Sequence, residues 1–303
     1  MDIGPQCESD GVFQAACRLG QSRYRAEVLG EDYGCGPHEG SKQRYGNMLV
    51  NGEETGSNFI SKGAFNFAKE KVKEKKVNKY LTIDEYRLFN NMLSSMPMCF
   101  NLFADLRLML KDERQEATRV ARLLFTEISW IDELVAVDVE FIPLLIEDYI
   151  NDRSAFDAML AVRDKDGLKG LISIETKYTD LLGTNVAADT DTKNALVEVG
   201  GFFNDRLKKE LKEKGYKQIH RNFLLTYAFA VKNGFGHFAH VILSPAADTM
   251  SVREIEELRK DMLIYQDRIF KIDLEDFVER GRCSGNAGFS EVMEKFMQRY
   301  LDM

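Results

Sequence analysis

The chain has 303 residues and a formal net charge of −8, from 41 basic and 49 acidic residues. This acidic balance argues against a protein that coats nucleic acid without specificity, although it leaves room for a basic groove on one face. No apolar run reaches the ~18 residues that a membrane span needs, and the N-terminus does not resemble a secretion signal. Five irregularly spaced cysteines fit a reducing compartment, so we expect a cytoplasmic protein.

The first part of the sequence predicts a helical, loop-rich region. Glycine, serine, asparagine and aspartate punctuate residues 1–60. Helical periodicity follows in four segments, at residues 64–72, 82–93, 99–110 and 113–130. Thr82 and Glu85 resemble a capping box at the start of the second of these. We therefore predict an N-terminal region over residues 1–95 and a second domain over residues 96–303.

The pattern changes to strands after residue 133. Three runs predict strands, namely LVAVDVEF (134–141), SAFDAMLAVR (154–163) and LKGLISIETKY (168–178), and DKDG between the last two is a hairpin signal. Later segments predict helices at 202–214 and 218–232, a strand at 237–245, and helices at 251–263 and 290–303. This order predicts an α/β fold with a small mixed β-sheet flanked by helices.

An acid and a base lie side by side in the third of these strands. Glu175 and Lys177 are two residues apart, so their side chains share one face of the strand. A three-residue loop over residues 165–167 would place Asp157 of the preceding strand opposite Glu175, about 5 Å away between β-carbons. A two-residue loop would shift this pairing by one residue.

Two carboxylates placed so closely repel each other unless a cation lies between them or one is protonated. Mg²⁺ prefers oxygen ligands and is commonly bound by one or two carboxylates. A neighbouring lysine could then orient a water or offset charge on a phosphate, which suits metal-assisted phosphodiester hydrolysis. The alternative is a solvated face of an antiparallel sheet on which Lys177 forms salt bridges with Asp157 or Glu175.

The D-(x)n-E-x-K pattern resembles the motif of the PD-(D/E)xK nuclease superfamily. Several segments resemble, more specifically, a bacterial restriction endonuclease family within it: YGNML (45–49), GSNFI (56–60), CFNLF (99–103), VEFIP (139–143), DRSAFD (152–157), ISIETKYTD (172–180) and HRNFLL (220–225). The resemblance covers nearly the whole chain. It implies a restriction-endonuclease-like core and an endonuclease that hydrolyses DNA with Mg²⁺, for which Mn²⁺ would substitute. Phe156 stands where the superfamily motif has proline.

The resemblance also implies roles for individual residues. Asp157 and Glu175 would be metal ligands, and Lys177 the catalytic lysine. Many superfamily members add an acid that precedes the sheet, and Glu127 is the candidate here. Glu116 and Glu140 are its rivals.

The helix after the E-x-K strand often presents polar side chains to the active groove in this superfamily. Gln218 and Arg221 lie three residues apart on one helical face, so we consider both for phosphate contact. A local pairing of Arg221 is the alternative. We expect Tyr178 to point into the core with Ile174.

The sequence also suggests partners and competing functions. A homodimer is expected because a double-strand cut needs two active sites, and a partner protein for targeting or gating is a further expectation. Defence against foreign DNA is the expected role. The alternatives are a catalytically silent nucleic-acid-binding or regulatory module of the same fold, and an interaction scaffold that docks partners through residues 1–95.

Two other patterns are weak metal signals. A zinc site formed by Cys7, Cys17, Cys35 and His38 would lack the closely spaced pairs of structural zinc sites. His237 and His240 lie three residues apart at a strand start, which differs from the helical pairing of zinc proteases.

Overall fold

The computed structural model describes residues 2–180, 182–183 and 191–302. The chain forms two compact units. The first gathers residues 2–108, 178–180 and 275–302, and the second gathers residues 109–177, 182–183 and 191–274. The predicted division at residue 95 stays a prediction. Within the described ranges, no helix combines the length and the apolar character that crossing a bilayer requires.

The first unit is mainly helical. Its helices are α1 (Val12–Arg23), α2 (Gly52–Thr55), α3 (Lys62–Val77), α4 (Glu85–Asn90), most of α5 (Ser95–Asp112), and two helices from the end of the chain, α11 (Leu274–Arg282) and α12 (Ala287–Tyr300). A two-stranded antiparallel sheet joins them, formed by β1 (Tyr33–Cys35) and β2 (Arg44–Leu49). The sequence did not predict this sheet, because its strands are short and lack alternation.

The start of α4 corrects the predicted capping box. The N-cap is Asp84, whose carboxylate accepts a hydrogen bond from the backbone N–H of Arg87. Asp84 is a better cap than Thr82 here because the helix begins only at Glu85. The helix predicted over residues 113–130 is also shorter in the structure, since α6 covers Arg114–Leu124 and ends at Phe125.

The second unit is built on a five-stranded mixed sheet. Its strands are β3 (Glu133–Phe141), β4 (Phe156–Arg163), β5 (Lys169–Thr176), β6 (His237–Ser244) and β7 (Ile269–Asp273), in that spatial order. The first three pair antiparallel, whereas β5, β6 and β7 pair parallel. The sequence analysis missed β7, which is a five-residue edge strand. The predicted α/β class with a small mixed sheet is confirmed.

Helices flank this sheet. They are α6, α7 (Asp191–Gly200), α8 (Asp205–Lys214), α9 (Gln218–Lys232) and α10 (Thr249–Asp261). The helix α9 is the last of the three helices between β5 and β6, and its apolar side chains share a core with residues of β4 and β5. Phe223 and Phe229 are buried there with Phe156, Met159 and Leu171. This packing fixes α9 against the face of β5 that carries Ser173, Glu175 and Lys177.

Candidate active site

The β4–β5 hairpin sets the register of the acidic pair. Its last ladder bond runs from the Asp164 N–H to the Leu168 carbonyl (2.9 Å), which leaves a three-residue loop. Gly167 closes this loop with φ +80°, a conformation that favours glycine. Ala158 pairs with Ile174, so Asp157 lies opposite Glu175, as predicted.

Asp157 is a half-buried carboxyl group whose ionised form is disfavoured. Its Oδ2 accepts hydrogen bonds from the Thr176 N–H (2.8 Å) and the Thr176 hydroxyl (3.0 Å). Burial, and then the charge of Glu175, raise the pKa of Asp157 to about 7, although Lys177 and Thr176 act in the opposite direction. The two neighbouring acids therefore do not both ionise readily without a compensating cation.

Glu175 is buried and is held by a set of donors. Its Oε1 accepts from Gln218 Nε2 (2.6 Å) and lies 2.7 Å from the ammonium of Lys177. Its Oε2 accepts from Asn222 Nδ2 (2.7 Å). Both oxygens are thereby fixed in position by side chains of α9 and by the lysine on its own strand.

Gln218 connects the acid, the base and the next loop. Its Oε1 accepts from Lys177 Nζ (3.2 Å) and from the Gly183 N–H (2.8 Å), while its Nε2 donates to Glu175. The salt bridge that the sequence analysis held as an alternative for Lys177 is therefore present, with Glu175 as its partner. It lies in a buried cluster rather than on a solvated face, since Glu175 and Lys177 are 4% and 8% exposed.

A second series of hydrogen bonds lies on the same face of the sheet. Thr226 donates to the backbone carbonyl of Asn222 (2.7 Å), so its oxygen is free to accept from the Ser173 hydroxyl (2.6 Å). Ser173 in turn lies 2.9 Å from His240 Nδ1. Burial lowers the pKa of His240 to about 4, so its imidazole is neutral at ordinary pH. Its Nε2 is buried and has no hydrogen-bond partner among the described residues.

The acids considered as a third ligand lie in different places. Glu127 is exposed in the turn after α6, and Glu116 on α6 accepts from Arg119 (2.6 and 2.8 Å). The turn that holds Glu127 leads to Trp130, which lies against Gly170 near the hairpin loop and so at the other end of β5 from Glu175. The role of Glu127 as a metal ligand stays a prediction to which this geometry adds no support.

Glu140 is the rival that lies in register with the pair. Val139 pairs with Ala158 and Phe141 with Phe156, so the backbone of Glu140 is opposite Asp157. Glu140 is buried and has φ +51°, which is unusual for a residue other than glycine. Among the described residues, however, no group of three or more acidic, histidine or cysteine side chains could hold a metal ion.

Arg221 lies in a local structural contact. Its Nη1 donates to the Tyr216 carbonyl (3.2 Å), and its Nε is 4.0 Å from Asp152. This corresponds to the local pairing that was its alternative interpretation, and a phosphate contact by Arg221 stays a prediction. Tyr178 is buried in the first unit, where its hydroxyl donates to the Tyr300 carbonyl (3.2 Å).

The sequence analysis did not predict that Asn222, Thr226 and His240 take part in this arrangement. The available signal was the spacing of polar residues in α9, because Gln218, Asn222 and Thr226 follow one another at intervals of four along one face of the helix. Ser173, Glu175 and Lys177 alternate along β5 in the same manner. Polar stripes on two adjacent, largely buried elements indicate that they face each other.

A carboxylate pair on a hairpin, a lysine two residues after the second acid, and a mixed sheet flanked by helices define a restriction-endonuclease-like fold with an E-x-K site. A family model described as the PD-(D/E)XK nuclease superfamily matches residues 8–302, and the chain belongs to this superfamily. Nucleases of the superfamily typically use divalent metal ions. Neither the curated proteins nor the solved structures contain a match to this chain.

Proposed function

We propose that the protein is a Mg²⁺-dependent endonuclease that hydrolyses DNA phosphodiester bonds, with Asp157 and Glu175 as metal ligands and Lys177 as the catalytic lysine. The observation that carries the proposal is the buried cluster of these groups with Gln218. Lys177 lies 2.7 Å from one of two adjacent carboxylates. A buried ion pair of this kind adds little net stability to the fold, because the cost of removing the charges from water offsets their attraction. The cluster is better explained by chemistry at a phosphate.

The donor set fits a hard divalent cation. Asp157 and Glu175 offer carboxylate oxygens, and a bound cation would offset the burial and the Glu175 charge that raise the pKa of Asp157. A carboxylate has about four lone-pair sites, so the contacts from Gln218, Asn222 and Lys177 leave about one site on Glu175 for a cation. A bound ion would supply positive charge beside the phosphate and acidify a bound water.

The chain's own residues supply orientation and charge. Gln218 and Asn222 hold the plane of the Glu175 carboxylate, so that its oxygens do not rotate when substrate binds. Lys177 presents an ammonium group beside this carboxylate, where it can stabilise negative charge that develops on the attacked phosphate. The pair of contacts from Gln218 to Glu175 and Lys177 keeps the acid and the base in a fixed relative position.

Cleavage of plasmid and linear duplex DNA with Mg²⁺ or Mn²⁺ tests the proposal. We expect Lys177→Ala and Asp157→Ala to reduce the cleavage rate by about a hundredfold or more. Lys169→Ala on the exposed part of β5 and Asp166→Ala in the hairpin loop are matched controls, and both should cut at the wild-type rate. Wild-type rates from both site variants would refute the proposal, and an equal rate on RNA would refute the preference for DNA.

The second candidate is a catalytically silent nucleic-acid-binding or regulatory module. The observation in its favour is that Glu175 already accepts from three side chains in a buried network. Such a module would bind DNA but leave it intact with every divalent ion. Calorimetric titration with Mn²⁺ separates the two, because only the nuclease requires ion uptake that Glu175→Gln abolishes.

The wider setting is part of the proposal. A cytoplasmic enzyme is favoured by the five free cysteines. Cutting both strands of a duplex would be served by a homodimer, which sedimentation analysis of the DNA complex would detect. Defence against foreign DNA would appear as protection of cells from phage that Lys177→Ala abolishes, and a partner protein for gating would be expected to modulate that protection.

A further inference from the structure

The first unit contains a polar cavity that the proposed chemistry does not use. Its volume is about 290 Å³, and its walls come from α1, β2, the end of α4 and the segment Thr179–Asp180. Thr179 is the second residue after Lys177 in the sequence, so the chain that leaves the E-x-K motif enters this wall. A cavity of this size is at the lower end of small-molecule sites and far too small for a duplex.

Arg87 gives the cavity an unsatisfied cationic donor. Its Nε is buried and has no hydrogen-bond partner among the described residues, and no ion pair of its guanidinium is found there. Buried polar groups are rarely left unpaired, and an exception calls for a bound water, ion or ligand. The guanidinium group is the side chain best suited to bind a phosphate or a planar acceptor pair.

Besides Arg87 and the ion-paired Arg18, the lining holds the carboxylate of Asp180, neutral hydrogen-bonding groups and apolar surface. In the described part of the chain, the amide of Gln14, the Nδ2 of Asn91 and the hydroxyl of Thr179 have no recorded partner. Met48 and Leu93 supply apolar surface beside them. Amide and hydroxyl groups read the edges of nucleobases, whereas apolar side chains cover their faces.

Arg18 holds the amides of this lining in place. Its Nη1 donates to Asn47 Oδ1 (2.5 Å), and its charge is paired with Asp10. Asn47 in turn donates to Asn91 Oδ1 (3.1 Å), which leaves the Nδ2 of Asn91 as a donor of fixed direction. The cavity is thus a built site with one unpaired cation and oriented amide groups.

We infer that this cavity binds one nucleotide unit, with Arg87 on the phosphate and the amides of Gln14 and Asn91 on the base edge. The ligand would be a nucleotide of the DNA strand that is taken out of the base stack. This source of the ligand rests on the proposed function. Extruding a base into a pocket costs a few kcal/mol and is least costly for a mismatched or single-stranded position. A free deoxynucleotide has the same chemistry and is the alternative source.

Calorimetric titration of the full chain with each deoxynucleoside 5′-monophosphate, in EDTA, tests binding without catalysis. Deoxyribose 5-phosphate and the free deoxynucleosides are the probes for phosphate and base alone. We expect at least one monophosphate to bind and Arg87→Gln to weaken it about tenfold or more. Because Arg87 Nε has no partner to lose, this variant should melt at the wild-type temperature, and Thr179→Val serves as a second variant. Arg23→Gln, on the exposed end of α1, is the matched control.

Cleavage kinetics then separate the two sources and the two proposals. A higher KM for an oligonucleotide with unchanged kcat in Arg87→Gln supports a nucleotide of the strand, whereas unchanged kinetics with lost monophosphate binding support a free nucleotide. If wild type cuts DNA but no monophosphate binds at millimolar concentration, and Arg87→Gln and Thr179→Val both cut normally, the cavity proposal is overturned and the nuclease stands. If a monophosphate binds in an Arg87-dependent manner but the protein does not cleave DNA, the cavity proposal is supported and the proposed nuclease activity is refuted.

Discussion

Asn222 donates a 2.7 Å hydrogen bond to Glu175 from one helical turn beyond Gln218, so that α9 holds both oxygens of this carboxylate. Loss of the amide would leave Glu175 buried with one oxygen unsupported, which costs roughly 1–3 kcal/mol. We expect Asn222→Ala to reduce kcat about tenfold or more, with a smaller change in KM. Asn233→Ala at the end of the same helix is the control and should retain wild-type kcat. An equal effect of both variants on kcat would show that Asn222 has no specific role in positioning.

The raised pKa of Asp157 predicts how the free energy of unfolding depends on pH. An unfolded aspartate ionises near 3.8, whereas the folded protein keeps the proton on Asp157 up to a pH of about 7. The folded state therefore binds more protons between these values, and its stability falls as the pH rises through that window. Asp157→Asn removes this loss. We expect it to stabilise the metal-free protein by about 1–3 kcal/mol at pH 8, and by less at pH 5, in urea unfolding.

A contrary result for Asp157→Asn is easily recognised. If the variant and the wild type have parallel stability profiles between pH 5 and pH 8, burial of Asp157 has no electrostatic cost. Asp166→Asn, a loop residue that is exposed, is the control and should show no such pH dependence.

Cation binding should be linked to the same proton. A divalent ion requires the ionised form of Asp157, so its apparent affinity should rise about tenfold per pH unit below 7 and level off above it. Calorimetry of Mn²⁺ in buffers of different ionisation enthalpy measures the released proton. The charge of Lys177 lowers the pKa of Asp157, so Lys177→Met should move the midpoint to higher pH. A pH-independent affinity would contradict a metal site at this carboxylate.

Gly170 permits close packing of Trp130 on β5. A β-carbon at this position would lie 2.3 Å from the Trp130 ring and 2.9 Å from a methyl group of Val162. We expect Gly170→Ala to destabilise the protein by about 1–3 kcal/mol in chemical unfolding, because the indole ring must move. Gly288→Ala in α12 meets only a side-chain oxygen at 3.8 Å and should be neutral or slightly stabilising. Equal stability of the two variants would contradict this account of packing at Gly170.

Local patterns in the sequence predicted most of the β4–β5 hairpin. Alternation predicted the shared face of Glu175 and Lys177, and DKDG predicted the turn, but the choice between a two-residue and a three-residue loop, which decides whether Asp157 lies opposite Glu175, came from the structure. The partners of Glu175 on α9 could not be predicted with the same certainty, because they depend on how a helix docks on a sheet. Short strands were missed for a related reason, since β1 and β7 have three and five residues, too few for a periodic pattern.

The packing of α12 in the first unit could not be predicted from local sequence patterns either. The helix predicted over residues 290–303 corresponds to α12 (Ala287–Tyr300), but nothing in its periodicity indicates that α12 packs in the unit formed by the first part of the chain. That assignment depends on contacts across more than two hundred residues of sequence.

The docking of α12 has a consequence for synthesis on the ribosome. Arg299 is buried, its Nη2 donates to Asn58 (2.5 Å), and its carbonyl accepts from Gln21 (2.8 Å). The packing of Asn58 and Gln21 is therefore complete only after α12, more than two hundred residues further along the chain, has been made. The unit that holds the polar cavity would therefore reach its native packing only after translation of α12.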